Sequence, residues 1–177
     1  MGTNASEVPL EPDPSERRRW PRKEGLLSGV VADVNGEISF DCTILDMNAQ
    51  GAQIAFSDKL PLGEQIYLLD ISNLTAYLAS VAWNNSDRAG LSFVQSCAIG
   101  LALPPGLKFL WRLFLEAKLR ELDRVVAKGV PVGLAFRTIG LSDADLDQMA
   151  RHAGTDKKFE RLLLLAKRLM NGSPRSE

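Results

Sequence analysis

One alternating segment beside an Asn-Gly pair constrains the fold of this chain more than any other feature. Asn35-Gly36 is the pair that most strongly favours a short β-hairpin turn, and residues 26–34 before it are strand-like. After the pair, apolar and polar residues alternate, which predicts a strand with one buried face. The apolar side consists of Ile38, Phe40, Cys42 and Ile44, and the polar side of Glu37, Ser39, Asp41 and Thr43.

Four further short segments have the composition of strands, at residues 52–56, 65–71, 75–83 and 88–94. Turn-forming residues such as Asn84-Asn85-Ser86-Asp87 separate them. Six short antiparallel strands joined by tight turns predict a small barrel or a sandwich. In such a small fold, Trp83 is predicted to belong to the core, because large aromatic side chains dominate small cores.

The C-terminal part of the chain has a helical pattern. Apolar residues recur at helical spacing after Pro104, and Gly129 and Pro131 predict the end of this first helix. Residues 132–139 are ambiguous and fit an extended connector. Ser142 is predicted to cap a second helix, and a third is predicted to begin at Thr155 or Asp156. The apolar faces are wide enough to pack on the barrel, on each other or across a dimer.

Composition and length limit the class of protein. The 177 residues carry a formal net charge of −1, so the chain as a whole is not a general polyanion binder. It contains no apolar run long enough for a membrane span, and its polar N-terminus does not resemble a signal peptide, which predicts a cytoplasmic protein. Residues 1–15 combine prolines with acids and are predicted to be a disordered leader. Cys42 and Cys97 are predicted to be reduced core residues.

Four arginines are concentrated ahead of the first strand, at Arg17, Arg18, Arg19 and Arg22. Guanidinium groups are permanently charged, bind phosphate and the O6/N7 edge of guanine through paired hydrogen bonds, and stack on bases. Such a run also fits a solvated basic patch, a nucleic-acid contact or a membrane-surface contact. The run alone therefore leaves a guanine nucleotide as one of several candidate ligands.

A second motif, Asp46-Met47-Asn48-Ala49-Gln50-Gly51, follows the alternating strand. Asp46 continues the apolar side of the alternation, which predicts its carboxylate where the buried face reaches the rim of the sheet. A carboxylate complements guanidinium groups because it accepts hydrogen bonds from the N–H groups of guanine. R-x-x-x-R at Arg18 and Arg22, followed about two strands later by D-x-N-x-x-G, resembles the PilZ domain family, bacterial receptors for cyclic diguanylate. The resemblance covers residues 16–95.

The resemblance implies a fold and a set of ligand contacts. The resemblance implies the PilZ barrel specifically. Together with the helical pattern that follows, the predicted fold class is mainly β with α: a six-stranded antiparallel PilZ-like β-barrel in residues 16–98 and a C-terminal region of about three helices in residues 104–171. The family pattern implies that Arg18 and Arg22 bind phosphate and guanine, that Asp46 contacts the base, and that Gly51 closes the turn. Arg17 and Arg19 are additional candidates for phosphate.

The implied function is a cytoplasmic, non-enzymatic receptor for cyclic di-GMP that relays binding to a protein partner or homo-oligomer through its C-terminal helices. No other cofactor is implied. Asn48 departs from the family pattern, which usually has serine at this position. An amide is bulkier than a hydroxyl, and this difference motivates an alternative, a PilZ-like domain that has lost nucleotide binding and acts as an interaction or oligomerisation module.

Other kinds of site lack support in the sequence. Asp143, Asp145 and Asp147 resemble the start of a calcium-binding loop, but Gln148 and Gly154 replace its required glycine and glutamate. His152 is the single histidine, which argues against a multi-histidine metal site and a histidine-based triad. Phosphate-cradling glycine loops are absent, so an enzyme is not predicted. Nucleic-acid binding by residues 142–170 is disfavoured because this segment begins with acids.

Overall fold

The structure, a computed structural model, describes residues 23–57, 62–100, 103–152 and 156–172. Within these ranges, six strands come first and four α-helices follow. The strands are β1 (Lys23–Asp33), β2 (Ser39–Met47), β3 (Gly51–Ala55), β4 (Gln65–Asp70), β5 (Thr75–Asn84) and β6 (Arg88–Ala98). A 3-10 turn, Pro105–Leu107, leads into α1 (Phe109–Ala127). The helices that follow are α2 (Val132–Thr138), α3 (Asp143–His152) and α4 (Lys157–Asn171).

The strands form a closed barrel in the order β1-β2-β3-β6-β5-β4, and every neighbouring pair is antiparallel. The predicted six-stranded antiparallel barrel is thereby confirmed. The hairpin at Asn35-Gly36 is also present, but its loop is longer than a two-residue turn. Asp33 closes it, since the Asp33 N–H donates to the Ile38 carbonyl at 3.0 Å and the Ile38 N–H donates to Asp33 Oδ1 at 2.8 Å. Ile38 lies in this loop and is 53% exposed, so its predicted place on the buried face is wrong.

Alternation along the strands fills the barrel interior with small and branched side chains. All six strands contribute to this interior core, which contains Val31, Cys42, Ile44, Ala52, Ile54, Phe56, Ile66, Leu68, Ala79, Ala89 and Leu91. Cys42 therefore behaves as the small core residue that its sequence context predicts.

A second core lies outside the barrel, between its outer surface and the helices. The outer faces of β1 and β4 contribute Val30, Ala32, Tyr67 and Leu69, and Ile71 follows directly after β4. The central helix α1 covers them, and the Tyr67 ring meets the Phe109 ring edge-on with 5.7 Å between ring centroids. The barrel and the helical region consequently share one continuous apolar core.

Residues 132–138 form α2, so the helical region has four helices where about three were predicted. The expectation of an extended connector is wrong because burial outweighs local preference. Ala135 and Phe136 are buried in the outer core, which stabilises a short helix despite Val132 and Gly133. The predicted start of the last helix at Asp156 is confirmed. The Asp156 carboxylate accepts hydrogen bonds from the N–H groups of Lys158 and Phe159, in the first turn of α4, at 3.0 Å each.

Charged side chains also join the helices to the barrel. Arg112 donates to the Gly36 carbonyl at 2.7 Å and forms ion pairs with Glu116 and with Asp156, the cap of α4, at 3.2 Å each. One guanidinium thus contacts the β1–β2 loop, α1 and α4. Further along α1, Arg120 and Arg124 bind Asp41 of β2, with the shortest contacts at 2.7 and 2.8 Å.

Candidate functional site

The candidate ligand residues fall into two groups. The arginines Arg17, Arg18, Arg19 and Arg22 lie outside the described residues, as does the predicted leader. The turn residues are described: Asp46 lies near the end of β2, Asn48 in the connection that follows, and Gly51 at the start of β3.

Asn48 builds the turn with its own side chain. Its Oδ1 accepts the N–H of Gln50 at 2.8 Å and the N–H of Gly51 at 3.0 Å, while its backbone N–H donates to the Gly51 carbonyl at 2.9 Å. A serine hydroxyl can form a similar turn with its single oxygen, so the amide replaces that function. Because Oδ1 is occupied by the turn, the Nδ2 group is the part of Asn48 suited to contact a ligand.

Gly51 is required by the close approach of two strands. A Cβ at this position would lie 2.1 Å from the Leu91 carbonyl oxygen of β6, far inside any permitted contact. The Phe93 N–H donates to the Gln50 carbonyl at 2.7 Å, so the turn is held directly against β6. The D-x-N-x-x-G motif therefore encodes a turn whose last position must be glycine, because any Cβ there would collide with β6.

The face on which Asp46 lies differs from the prediction. The β2–β3 register shifts by one residue between Ile44 and Asp46, as at a β-bulge. Beyond the shift, Asp46 pairs with Gln53, and Met47 pairs with the interior residue Ala52 and packs against the interior core. The parity expected for Asp46 is therefore wrong, and this carboxylate shares the outer face of the sheet with Gln53.

Pairing continues this outer row across the sheet. Gln53 pairs with Gly90 of β6, and Gly90 pairs with Trp83 of β5. A Cβ on Gly90 would meet the Trp83 indole at 2.0 Å, so the ring lies directly over the glycine. We refer to Asp46, Gln53, Gly90 and Trp83 as the outer row. With strands about 4.8 Å apart, it spans roughly 14 Å from β2 to β5.

Trp83 is 45% exposed, so the prediction that it belongs to the core is wrong. The signal that could have identified this arrangement is Gly90 itself, because glycine inside a strand often marks a close approach by another group. The indole and the flat backbone of Gly90 give the outer row an aromatic surface at one end and a carboxylate at the other. Such a combination suits a planar, nitrogen-rich ligand that stacks and donates hydrogen bonds.

A cleft of about 400 Å³ lies between the strands β1 to β3 and α1. Thr43 of β2 and Ala55 of β3 line this cleft and pair with each other. Thr43 lies three residues before Asp46, and Ala55 lies two residues after Gln53. Glu121 and Arg124 of α1 form the opposite wall. A ligand that extends beyond the outer row in this direction would therefore approach the central helix.

Two of the three acids that resemble a calcium loop have structural roles. Asp145 accepts hydrogen bonds from the backbone and hydroxyl of Ser142 at 2.8 and 2.5 Å, which caps α3. Asp147 accepts from the Lys167 ammonium at 2.6 Å, and this hydrogen bond lowers the pKa of the Asp147 carboxyl. Within the described ranges, no group of three or more His, Cys, Asp and Glu side chains could hold a metal ion.

Comparison with known proteins adds no assignment. No model of a known protein family matches the sequence, and no curated protein matches it at significant similarity. In the part of the chain that the structure describes, none of the helices is sufficiently long and apolar to cross a membrane. A functional assignment therefore depends on the motifs and on the geometry of the outer row.

Proposed function

We propose that this protein is a non-enzymatic cytoplasmic receptor for cyclic di-GMP, the function implied by its resemblance to the PilZ family. The observation that supports the proposal is the position of the start of β1 beside the D-x-N-x-x-G turn. Lys23 pairs with Met47 and Glu24 pairs with Asp46, so β1 begins beside the D-x-N-x-x-G turn. Arg22 is covalently bonded to Lys23, which keeps its Cα about 3.8 Å from the Cα of that residue.

The reach of the chain is compatible with both arginines of the R-x-x-x-R motif acting at this end. Arg18 precedes Lys23 by five residues, which span at most about 17 Å when extended. A guanidinium at either position is thus within range of a ligand bound on the outer row. Arg17 and Arg19 extend the same positive charge and are available for phosphate groups.

Each group of the site has a role that follows from its chemistry. Arg18 and Arg22 bind phosphate oxygens and the O6/N7 edge of a guanine. Asp46 accepts hydrogen bonds from the N1–H and N2–H groups on the other edge of the base, and Asn48 Nδ2 donates to an acceptor on the ligand. Trp83 offers a surface on which a base stacks. The stacking role of Trp83 follows from the exposure of its indole.

The direct test is calorimetric titration of the full chain with cyclic di-GMP. Wild-type protein is expected to bind with measurable heat, and GMP is expected to bind much more weakly because it offers one base and one phosphate. Arg22→Ala should weaken binding by about 1.5–3 kcal/mol through loss of a charge-assisted hydrogen bond. Asp46→Ala should weaken it similarly, and Trp83→Ala by about 1–3 kcal/mol.

Arg151→Ala is the matched control, because this exposed arginine lies on α3, which packs against α4 and contributes no residue to the outer row. Its affinity should equal that of the wild type. Absence of any heat or chemical-shift change with cyclic di-GMP would end the proposal. Equal weakening by Arg22→Ala and Arg151→Ala would show that binding is only a general charge effect.

A second candidate is a PilZ-like domain that has lost nucleotide binding and serves as an interaction or oligomerisation module. The observation in its favour is that Asn48 Oδ1 is already used by the turn, which removes one acceptor from the site. This alternative predicts a stable homo-oligomer or partner complex whose mass, measured by light scattering, is the same with and without cyclic di-GMP. In the receptor, ligand changes how the helical region meets its partner.

A further inference from the structure

The outward side of α4 carries leucines that the fold leaves exposed. Its inner side is packed into the outer core through Phe159, Leu163 and Ala166. On the outward side, Leu164, Leu165 and Leu169 are 58%, 48% and 36% exposed. Three exposed leucines within six residues of one helix form a concentrated apolar surface of the kind that marks contact with another molecule.

The same helix concentrates positive charge. Residues 157–171 contain five basic residues and one acidic residue, although the whole chain has a formal net charge of −1. Two of these cations are ion-paired within the fold, Lys158 with Glu116 at 3.0 Å and Lys167 with Asp147 at 2.6 Å. The other three are exposed and form no ion pair with any residue that the structure describes: Lys157, Arg161 and Arg168.

The leucines and arginines are arranged as in one half of a helix pair. Leu162, Leu165 and Leu169 follow the i, i+3, i+7 spacing of a coiled-coil seam, with Leu162 partly buried against the outer core. Arg161 directly precedes Leu162, and Arg168 directly precedes Leu169. Both arginines therefore occupy the g positions that flank the seam. On the other side of the seam, the e positions are residues already buried in the fold, so only the arginine flank can contact a partner.

We propose that the outward face of α4 binds a partner helix that has apolar residues along one side and aspartate or glutamate along the adjoining flank. Apolar residues of the partner pack on Leu165 and Leu169, and its acids pair with Arg161 and Arg168. Opposite charges at flanking positions select partners in helix pairs, and complementary potentials accelerate their association.

The same geometry disfavours two other occupants. A second copy of α4 in antiparallel orientation would bring g positions together and oppose arginine to arginine, while a parallel copy would need e positions that are buried. A helix lying on a membrane has its apolar residues in the centre of the exposed arc. At about 100° per residue, Arg161 and Arg168 instead lie between Leu164 on one side and Leu165 and Leu169 on the other.

The test uses the full chain and two synthetic probe helices. Both probes carry leucine at a and d over about three heptads, and one has glutamate at e and g whereas the other has lysine. In fluorescence anisotropy, the wild type is expected to bind the glutamate probe at least about tenfold more tightly than the lysine probe. The variant Arg161→Glu/Arg168→Glu should reverse this preference, and Leu165→Ser/Leu169→Ser should weaken binding of the glutamate probe by about tenfold or more.

Lys128→Glu is the matched control, because this exposed lysine lies just beyond α1 and its charge reversal should leave the preference unchanged. Thermal melts of all variants establish that the fold is intact. Equal binding of both probes, or a preference that survives charge reversal at Arg161 and Arg168, overturns the proposal. So does a wild-type dimer abolished by Leu165→Ser, or binding to phosphatidylserine vesicles in place of the glutamate probe.

Discussion

Replacement of Gly51 by alanine isolates the part of the ligand motif that belongs to the fold. The new Cβ would lie 2.1 Å from the Leu91 carbonyl oxygen, whereas real Cβ atoms essentially never come closer than 3.0 Å to such an atom. Strands β3 and β6 must then separate locally by roughly 1 Å, and overpacking of this kind costs about 1–3 kcal/mol.

The displacement also strains two hydrogen bonds beside the glycine. The Phe93 N–H bond to the Gln50 carbonyl is 2.7 Å long, and the Asn48 N–H bond to the Gly51 carbonyl is 2.9 Å long. Each contributes about 0.5–1.5 kcal/mol. Together, Gly51→Ala should lower the free energy of unfolding by about 2–4 kcal/mol, equivalent to about 5–15 °C in the melting temperature of a chain of this size.

Circular dichroism melts and urea titrations provide the measurement, and Gly63→Ala provides the matched control. A Cβ at Gly63 meets only the Gln65 carbonyl oxygen at 3.7 Å, which is an ordinary contact. Its stability should therefore stay within about 0.5 kcal/mol of the wild type. If Gly51→Ala and Gly63→Ala unfold at the same temperature, the close approach of β3 to β6 is refuted.

Two further substitutions or treatments test other parts of the fold. Asp70 is fully buried and accepts three hydrogen bonds, from the N–H groups of Ser72 and Asn73 and from Asn73 Nδ2. Asp70→Ala should therefore lower the free energy of unfolding, measured by urea titration, by about 2–5 kcal/mol. A loss below about 1 kcal/mol would contradict this role. Burial raises the pKa of the Cys42 thiol from its ordinary value of 9.0 to about 12, so a thiol reagent at pH 8 should modify it far more slowly in native than in urea-unfolded protein. Because the thiol ionises at a lower pH in the unfolded chain, the stability gained by burying the protonated Cys42 thiol should be fully present below about pH 9 and be lost as the pH rises towards about 12. Rapid labelling of the native protein would contradict the burial.

The features that the sequence predicts correctly are those with a local signal. The six strands are visible as alternating segments between turn residues, and the cap of α4 is visible as Asp156 ahead of an apolar repeat. The D-x-N-x-x-G turn is predictable too, because the hydrogen bonds of Asn48 connect residues only two or three positions apart. Periodicity and short-range bonding therefore account for much of the barrel.

The features that the sequence does not reveal depend on distant neighbours. The register shift next to Asp46 is set by pairing with β3, and it reverses the face that simple alternation assigns to this residue. Trp83 is exposed because Gly90, on the neighbouring strand, leaves room for the indole on the outer surface. The local sequence of α2 is ambiguous, and burial of Phe136 stabilises the helix there.

The apolar core shared by the barrel and the helices has a practical consequence for anyone who divides this protein. A fragment that ends after β6 would expose Val30, Leu69 and Ile71 to water, each of which is at most 4% exposed in the whole chain. Such a fragment should aggregate or recruit a foreign apolar surface. Chimeras and truncations that keep both the barrel and its apolar cover will therefore need residues 23–171 as a single piece.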